Sequence, residues 1–383
     1  MKFIHIADTH LDMRFDSVGP FGDARRVEQL RALKEIVDYA KENNVQYIFI
    51  AGDFYEHQYI RESTINTVIK YFSEIPKVKI YITPGNHDPY LKNSAYSNYK
   101  FPDNVHIFKD FEIIEEDNAN IYGYGFTDFM SEPVNIKDIQ LKNNGKKNIL
   151  IIHGDIYGSK SELKYNSMNL RDLEAKNFDY IALGHIHLSN YNQTNKIIYP
   201  GPLLSYKFGG SKDNGMVVGE FIDNRLNLEF IPLDRRQHEE IEIDISEIHS
   251  QEELINNINN MDLSAMNFIK IILVGAKSFE VNTIKMLELM EKENIIKIYD
   301  NSYIAENLEE VAEEFNLKGL FVKNQLEKIA ELDDRISDMR LRLQKETDPG
   351  VILEKEKLIA ELSKKQILNY RAIAVVIEEM RNM

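Results

Sequence analysis

The stretch YIALGHIHLSN, residues 180–190, places two histidines directly after an apolar run. Residues 180–183 are bulky and apolar, as in a buried β-strand, and Gly184 ends the run. His185 and His187 stand two residues apart, so both side chains point to the same side of an extended chain. The stretch therefore predicts a buried strand that delivers two imidazoles to one place.

Other short apolar runs also end in polar residues. KFIHIA, QYIFIAGD, KVKIYITPG and NILIIHGD are rich in Ile, Val and Tyr, as buried strands are. The side chains that follow them are potential metal ligands or acids, namely Asp8, His10, Asp53, Asn86, His87 and His153. Because binding sites in open α/β sheets form outside the carboxyl ends of the strands, we expect these side chains to share one crevice.

The types of donor in this set predict a pair of cations. The chain has no cysteine, which leaves imidazole, carboxylate and amide groups as metal ligands. The candidates are too many for one ion, and they are Asp8, His10, Asp53, Asn86, His153, His185 and His187. A carboxylate can bridge two cations, so we expect two ions that share Asp53. These donors suit Mn²⁺, which we expect, with Fe²⁺, Zn²⁺ or Mg²⁺ as alternatives.

Each motif has a simpler interpretation when it is taken alone. GNHD is a good turn sequence, because Asn and Gly tolerate a positive φ, and a single histidine such as His153 is more often a hydrogen-bonded core residue. All the motifs in this order, each at the end of a strand, favour the metal site instead. His87 follows Asn86 directly, so its side chain points elsewhere, and we expect it to act beside the metals as an acid. His5 is expected to be structural.

The pattern of elements predicts an α/β domain over residues 1–235. Helices expected near residues 23–43 and 61–72 alternate with strands, and later segments read as strands without helices. This order suggests crossover helices followed by antiparallel strands, and hence an α/β core with two sheets.

The rest of the chain divides at DRRQHEE, residues 234–240. Residues 236–303 read as strand, helix, strand, helix, strand, which predicts a small α+β domain. Residues 304–383 are charged and helical, with a heptad seam at Ile329, Leu332, Ile336, Met339 and Leu343. TDPG at 347–350 breaks the pattern, so we expect two helices joined by a turn. Such an arm either packs on its own body or docks a partner.

The order Asp-x-His, Gly-Asp, Gly-Asn-His-Asp, His-Gly, Gly-His-x-His over residues 4–190 resembles the calcineurin-like metallophosphoesterase superfamily. FIHIADTHLD, IAGDFYEH and PGNHDPY resemble its DNA repair exonuclease branch, the SbcD- and YhaO-type nuclease subunits. The resemblance implies a four-layer αββα sandwich of mixed α/β (α+β) class, a small α+β capping domain and a C-terminal helical arm.

The resemblance also implies a role for each motif residue. Asp8, His10, Asp53 and His187 would hold one ion, and Asp53, Asn86, His153 and His185 would hold the other. His87 would be the general acid. Many relatives carry Asp or His three residues after the bridging Asp, where this chain has Glu56, so that auxiliary role stays open, as does the role of His57.

The implied activity is two-metal hydrolysis of DNA phosphodiester bonds, as an exonuclease and endonuclease in DNA repair and recombination. The implied partners are DNA, an SbcC- or YhaN-like SMC-type ATPase, and a second copy of the chain. Two alternatives are a phosphoesterase acting on nucleotides or other phosphoesters, and a non-catalytic scaffold for the ATPase.

The net charge of −16 predicts weak DNA binding by the isolated chain, because affinity for phosphate backbones comes from Lys and Arg. Some basic residues could contact a backbone or else be ordinary solvated charges, and they are Arg14, Arg25, Arg26, Lys92, Lys160, Lys164, Arg171 and Lys207. No apolar stretch approaches the roughly 20 residues that span a bilayer, and MKFIHIADTH reads as a first strand and not as a signal peptide. We expect a cytoplasmic protein with no membrane association.

Overall fold

The computed structural model describes residues 1–156, 165–304, 308–343 and 349–381. The chain forms two compact units. The first comprises residues 1–238 with 266–268, and the second comprises the described residues of 239–265 and 269–383.

The first unit contains two sheets and the helices that cover them. Its strands are β1 (Lys2–Ile6), β2 (Tyr47–Ala51), β3 (Lys79–Thr83), β4 (Val105–Ile107), β5 (Glu112–Glu115), β6 (Ala119–Tyr124), β7 (Lys147–His153), β8 (Tyr180–Gly184), β9 (Ile197–Ile198), β10 (Gly215–Ile222) and β11 (Arg225–Pro232). Its α-helices are α1 (Gly22–Glu42), α2 (Glu62–Ser73), α3 (Ala95–Asn98) and α4 (Leu170–Ala175), and 3₁₀ turns lie at Asp16–Phe21 and Ile136–Asp138.

The topology aligns the carboxyl ends of the central strands. The six-stranded sheet has the order β11-β10-β1-β2-β3-β4, and the five-stranded sheet has the order β5-β6-β7-β8-β9. β1 to β4 pair in parallel, as do β6 to β9, while β10 and β11 form an antiparallel hairpin beside β1. The prediction of crossover helices followed by antiparallel strands is confirmed for β10 and β11, but β6 and β9, which were also expected to be antiparallel, pair in parallel with β7 and β8.

Alternation of side chains along the strands produces the layers. Phe3 and Phe49 point to one face of the six-stranded sheet and pack in one buried cluster with Ile151 of the other sheet. Their neighbours Ile4 and Ile48 point the opposite way and pack against α1 and α2. The outer face of the five-stranded sheet packs in the same manner against α4 and the segment around Ile136–Asp138. The predicted αββα order of layers is confirmed.

The second unit begins as a small α+β fold. Its elements are β12 (His238–Asp244), α5 (Gln251–Asn260), β13 (Phe268–Val274), β14 (Ala276–Lys277), α6 (Thr283–Leu289), β15 (Ile295–Asp300) and β16 (Tyr303–Ile304). The longer strands form a sheet of order β12-β13-β15, and β14 pairs with β16. Ser250 caps α5 by accepting the backbone N–H of Glu253. The predicted alternation of strand and helix is confirmed.

Helices α7 (Leu308–Ala312), α8 (Leu317–Leu343) and α9 (Pro349–Arg381) complete the described chain. The predicted heptad seam is the inner side of α8, because Ile329 and Ile336 are buried and Ile329 packs in one cluster with Ile373 of α9. Of the predicted TDPG break, Thr347 and Asp348 lie outside the described residues, and Pro349 opens α9. No helix among the described residues is long and apolar enough to cross a membrane.

Candidate metal centre

The side chains expected at the strand ends meet where the carboxyl ends of the two sheets face each other. Asp8 and His10 follow β1, Asp53 follows β2, Asn86 and His87 follow β3, His153 ends β7, and His185 and His187 follow β8. Backbone bonds tie the first two loops together, from Asp8 N to Gly52 O at 3.1 Å and from His10 N to Asp53 O at 2.9 Å. The His185 N–H donates to Asp8 Oδ1 at 2.9 Å and so links the two sheets.

These side chains fall into groups whose ligand atoms lie within 4.8 Å of one another. One group is Asp8, His10 and His187, and another is Asp53, His153 and His185. Asp53 also lies within that distance of His10 and His87, so it stands between the groups. Asn86 Oδ1 is 3.0 Å from His153 Nε2 and adds an amide oxygen to the second group. All the candidate ligands named from the sequence are therefore close together.

The hydrogen bonds of the histidines fit a metal centre. His153 Nδ1 donates to the Ala51 carbonyl at 2.9 Å, which turns Nε2 towards the centre, 3.3 Å from Asp53 Oδ2. His10 Nδ1 donates to Glu56 at 2.7 Å, and its Nε2 faces His187 Nε2 at 3.1 Å. Two ring nitrogens that face each other beside Asp8 and Asp53 are an arrangement that a divalent cation satisfies. Nitrogen and carboxylate donors of this kind suit Mn²⁺, Fe²⁺ or Zn²⁺.

The backbone of the centre is strained. Asp8, His10, Asp53 and His185 have φ values of 50°, 45°, 50° and 105°, a region that L-residues rarely adopt. Each such residue costs on the order of 1–3 kcal/mol and persists only where the surroundings hold it. Strain concentrated at the metal-ligand candidates is typical of a functional site.

Asp88 is the group that holds two of these loops. Its buried carboxylate accepts the backbone N–H groups of Asp53 at 3.0 Å, Phe54 at 2.8 Å and Gly85 at 2.6 Å, and the hydroxyl of Tyr96 at 2.5 Å. The sequence placed Asp88 at a strand end but gave it no role. Its position in a turn, where Asp often accepts neighbouring backbone N–H groups, was the signal available.

Two glycines allow the loops to approach each other. A Cβ on Gly52, whose φ is 83°, would lie 2.2 Å from His153 Nδ1. A Cβ on Gly85 would lie 2.3 Å from Asp53 Oδ1. The glycines of the Gly-Asp and Gly-Asn-His-Asp motifs are therefore required by the close contact of loops from different strands.

Glu56 joins a candidate ligand to the candidate acid. One carboxylate oxygen accepts from His10 Nδ1 at 2.7 Å and the other pairs with His87 Nδ1 at 3.0 Å. Burial disfavours the Glu56 carboxylate, but the bonds from His10 and His87 lower its pKa to about 2. Burial also disfavours the His87 imidazolium, but the bond to Glu56 and the charge of Asp53 raise its pKa to about 9. His87 is thus held protonated at neutral pH, with 44% of its side chain exposed.

The buried carboxylates of the centre differ in charge state. Burial raises the pKa of Asp8 to about 7, and the charge of Asp53 adds to the effect. Burial has the same tendency at Asp53, but the adjacent His153 imidazole and the other histidines hold its pKa below the usual range. Asp53 is therefore the carboxylate that stays ionised between the two groups.

The other histidines and the basic residues take several positions. His5 is buried and bonds to the Tyr180 hydroxyl, so its structural assignment is confirmed. His57 lies beside the centre, where its N–H donates to the His87 carbonyl. Neither interpretation of Arg25, as a contact to a backbone or as a solvated charge, is correct, because Arg25 is buried in ion pairs with Asp234 and Glu28.

Among the other basic residues expected to contact a backbone, Arg26 pairs with Asp23. The remaining ones described by the structure are exposed, and they are Arg14, Lys92, Arg171 and Lys207. Lys160 and Lys164 lie outside the described residues.

Comparison with known proteins agrees with this geometry. The calcineurin-like phosphoesterase family model matches residues 1–189. The chain is 24% identical over 280 residues to an uncharacterised metallophosphoesterase, YhaO, of Bacillus subtilis, covering 68% of this chain and 67% of YhaO. It is 27% identical over 294 residues to SbcD of the nuclease SbcCD from Staphylococcus epidermidis, covering 68% of this chain and 77% of that protein.

Among solved structures, the Pseudomonas putida nuclease MPE matches 58% of this chain and 85% of its own, at 12% identity and a TM-score of 0.25. The phosphoesterase family uses divalent metals, and its members hydrolyse phosphoesters. The metal-ligand candidates lie within the matched residues, which carry the family's order of motifs. Residues 1–189 of this chain therefore form a calcineurin-like metallophosphoesterase domain.

Proposed function

We propose that this phosphoester hydrolase is a two-cation phosphodiesterase that cleaves DNA, as an exonuclease and endonuclease in repair and recombination. The observation that carries the proposal is the convergence of two ligand groups on Asp53, with a protonated histidine beside them. The similarity to SbcD of the nuclease SbcCD supports DNA as the substrate.

The ligand groups divide between two cations. Asp8, His10 and His187 would hold one ion, and His153, His185 and Asn86 would hold the other, with Asp53 shared. When bound, two divalent cations, for which we propose Mn²⁺, supply positive charge to the phosphate oxygens and make a water molecule a stronger nucleophile. The donor types of the two groups support this assignment.

The protein's own groups place and move the proton. Glu56 bonds to His87 Nδ1, so the Nε2 side of the ring is free to face a substrate. A protonated Nε2 there would donate to the departing alkoxide, where acid catalysis typically contributes about 10²–10⁴-fold. The Asp53 carboxylate accepts the His87 backbone N–H at 2.8 Å and thereby fixes the position of the acid relative to the cations.

The helical arm would dock the ATPase partner. Around the start of α8, Phe315, Leu317 and Leu320 are exposed and line a groove whose charged lining residues are Glu309, Glu313, Glu314, Glu327 and Lys323. Apolar residues among mostly acidic ones suit an amphipathic segment with basic flanks, which we assign to the coiled coil of an SbcC- or YhaN-like SMC-type ATPase. The capping role of residues 236–303, the docking role of residues 304–383 and the homodimer stay predictions from the resemblance.

The test compares substrates on the purified chain with Mn²⁺. Linear and hairpin DNA are incubated with and without the candidate ATPase, beside nucleotides and bis-p-nitrophenyl phosphate. We expect metal-dependent DNA cleavage that the ATPase increases and that Asp53→Ala abolishes, while Asp103→Ala, an exposed aspartate outside the centre, stays active. Hydrolysis of nucleotides without cleavage of DNA would contradict the nuclease proposal and support a phosphoesterase that acts on small substrates. Absence of bound metal in a titration would favour the scaffold.

A further inference from the structure

An exposed aromatic residue stands at the edge of the metal centre. The loop after β6 carries Phe129, which is 41% exposed, and Met130, which is 56% exposed. We call this pair the apolar lip. Neither side chain is part of a buried hydrophobic cluster, and neither belongs to the metal-ligand candidates.

The contacts of the loop place the lip beside the centre. Phe126, three residues before Phe129, packs its buried ring on His153, with ring centroids 5.7 Å apart. The Phe129 ring meets the His57 ring edge-on at 5.7 Å, and the backbone N–H of His57 donates to the His87 carbonyl at 3.0 Å. One histidine therefore separates Phe129 from the segment that carries the candidate acid.

The far end of the loop is also fixed at His153, through the segment that carries Tyr165 and Asn166. The Ser131 carbonyl accepts the backbone N–H of Asn166 at 3.1 Å, and the Asn166 side chain donates to the His153 carbonyl at 2.8 Å. Tyr165 packs on His185 with ring centroids 5.2 Å apart. Because the loop is anchored both before and after the lip, it holds Phe129 in place against His57.

The chemistry of the lip fits an uncharged flat group. Phe129 and Met130 have no charge to attract a phosphate, and the Asp128 carboxylate next to them would repel one. If the cations hold a phosphodiester, the group that is esterified to its phosphate would extend towards this edge. In a nucleic acid that neighbouring group is a base, and bases stack on aromatic side chains regardless of sequence. Methionine sulfur also contacts aromatic rings favourably.

We propose that Phe129 stacks on the nucleobase next to the scissile phosphate, with Met130 against its edge, and so selects nucleic acid over phosphodiesters that lack a base. The proposal rests on the nuclease function and names the feature of DNA that this site recognises. It assigns Phe129 a specificity role and no part in the chemical step.

The test uses two substrates that share one backbone. One is a short oligothymidine, and the other has an abasic tetrahydrofuran in place of every nucleoside. Steady-state kinetics with Mn²⁺ are measured for the wild type, Phe129→Ala and Phe129→Trp. The matched control is Ile222→Ala, which removes a similarly exposed side chain (48%) at the opposite end of the six-stranded sheet. Thermal melting of each variant establishes that it folds.

We expect Phe129→Ala to raise KM for oligothymidine about 5- to 10-fold, the lower part of the range for one base stacked on an aromatic residue, with little change in kcat. Phe129→Trp and Ile222→Ala should keep the wild-type KM. On the abasic strand, the wild type should already have the raised KM, and Phe129→Ala should add nothing to it.

Equal losses on both substrates, or an unchanged KM on oligothymidine, would overturn the stacking role and leave the nuclease proposal standing. A wild type that hydrolyses bis-p-nitrophenyl phosphate but neither strand would overturn the nuclease proposal and the stacking role with it.

Discussion

Glu56 Oε2 lies 3.0 Å from His87 Nδ1, so the residue that stands three positions after Asp53 orients the candidate acid. The other oxygen of the same carboxylate binds His10, a candidate ligand. A carboxylate that accepts from two rings at once fixes the orientation of both rings and the tautomer of His10.

Replacing Glu56 by Gln should therefore lower activity. An amide has one acceptor oxygen, so the –NH₂ group would face one of the two ring N–H groups and that bond would be lost. We expect a loss of about 10- to 100-fold in kcat/KM or in Mn²⁺ affinity, as for other residues that orient metal-bound histidines. Kinetics and calorimetric titration of Mn²⁺ measure the two effects. The matched control is Glu112→Gln, since Glu112 pairs with His106 at 3.2 Å away from the centre, and equal effects of both variants would refute the role.

Replacing His87 by Ala should separate turnover from metal binding. If His87 supplies the proton, kcat should fall about 10²–10⁴-fold while the protein still binds two ions. Metal analysis of the purified variant beside its kinetics makes the distinction. A fully active variant would remove the acid role. Loss of one ion would instead make His87 a ligand, which its place within 4.8 Å of His10 and Asp53 ligand atoms allows.

Replacing Asp88 by Asn should destabilise the fold as well as the site. The amide cannot accept on its nitrogen side, so at least one backbone N–H loses its partner in a buried place. We expect unfolding free energy to fall by about 3 kcal/mol, against about 1–2 kcal/mol for Tyr96→Phe, which removes only the hydroxyl bond. Urea denaturation of both variants measures the difference. A smaller loss for Asp88→Asn than for Tyr96→Phe would contradict the anchoring role.

Stability should depend on pH through His5. Burial lowers the pKa of His5 to about 3, below its unfolded value of 6.5. Between these two pH values, His5 is protonated in the unfolded state and neutral in the folded state. This contribution is complete above pH 6.5 and is lost as the pH falls towards 3, by about 2 kcal/mol at pH 5.

Urea denaturation at pH 7.5 and pH 5 checks this prediction, with the wild type compared with His5→Gln. All other titratable groups are the same in both proteins, so the difference in how much unfolding free energy each protein loses between pH 7.5 and pH 5 isolates the contribution of His5. Equal changes in stability for both proteins would refute the assignment.

The positions of the ligand candidates could be predicted from the sequence because two local rules determine them. Strand alternation sends the side chains of each motif to one side, and parallel pairing puts the ends of β1, β2 and β3 at one edge. Both rules act over short stretches of sequence, so the ligand candidates and the two sheets were accessible without coordinates, while the αββα order of layers was implied by the family resemblance.

The remaining parts of the centre depend on how loops from separate strands meet. Glu56 contacts both His10 and His87 only because the loops after β1, β2 and β3 close on one another. Arg25 was misjudged because its partner Asp234 lies more than two hundred residues later in the chain. Phe129 is an ordinary loop residue in the sequence, and only its contact with His57 reveals its position.

Two of the ligand groups take donors from both sheets, with His187 opposite Asp8 and His10 in one, and His153 and His185 opposite Asp53 in the other. Each cation would thus link the two sheets at their carboxyl ends. A free metal concentration of one hundred times the dissociation constant would add about 2.7 kcal/mol of stability per site. Removal of the metal would then lower the stability of the fold as well as abolish activity. A substitution between the two sheets, far from any substrate, would then first lower the affinity of the centre for metal ions.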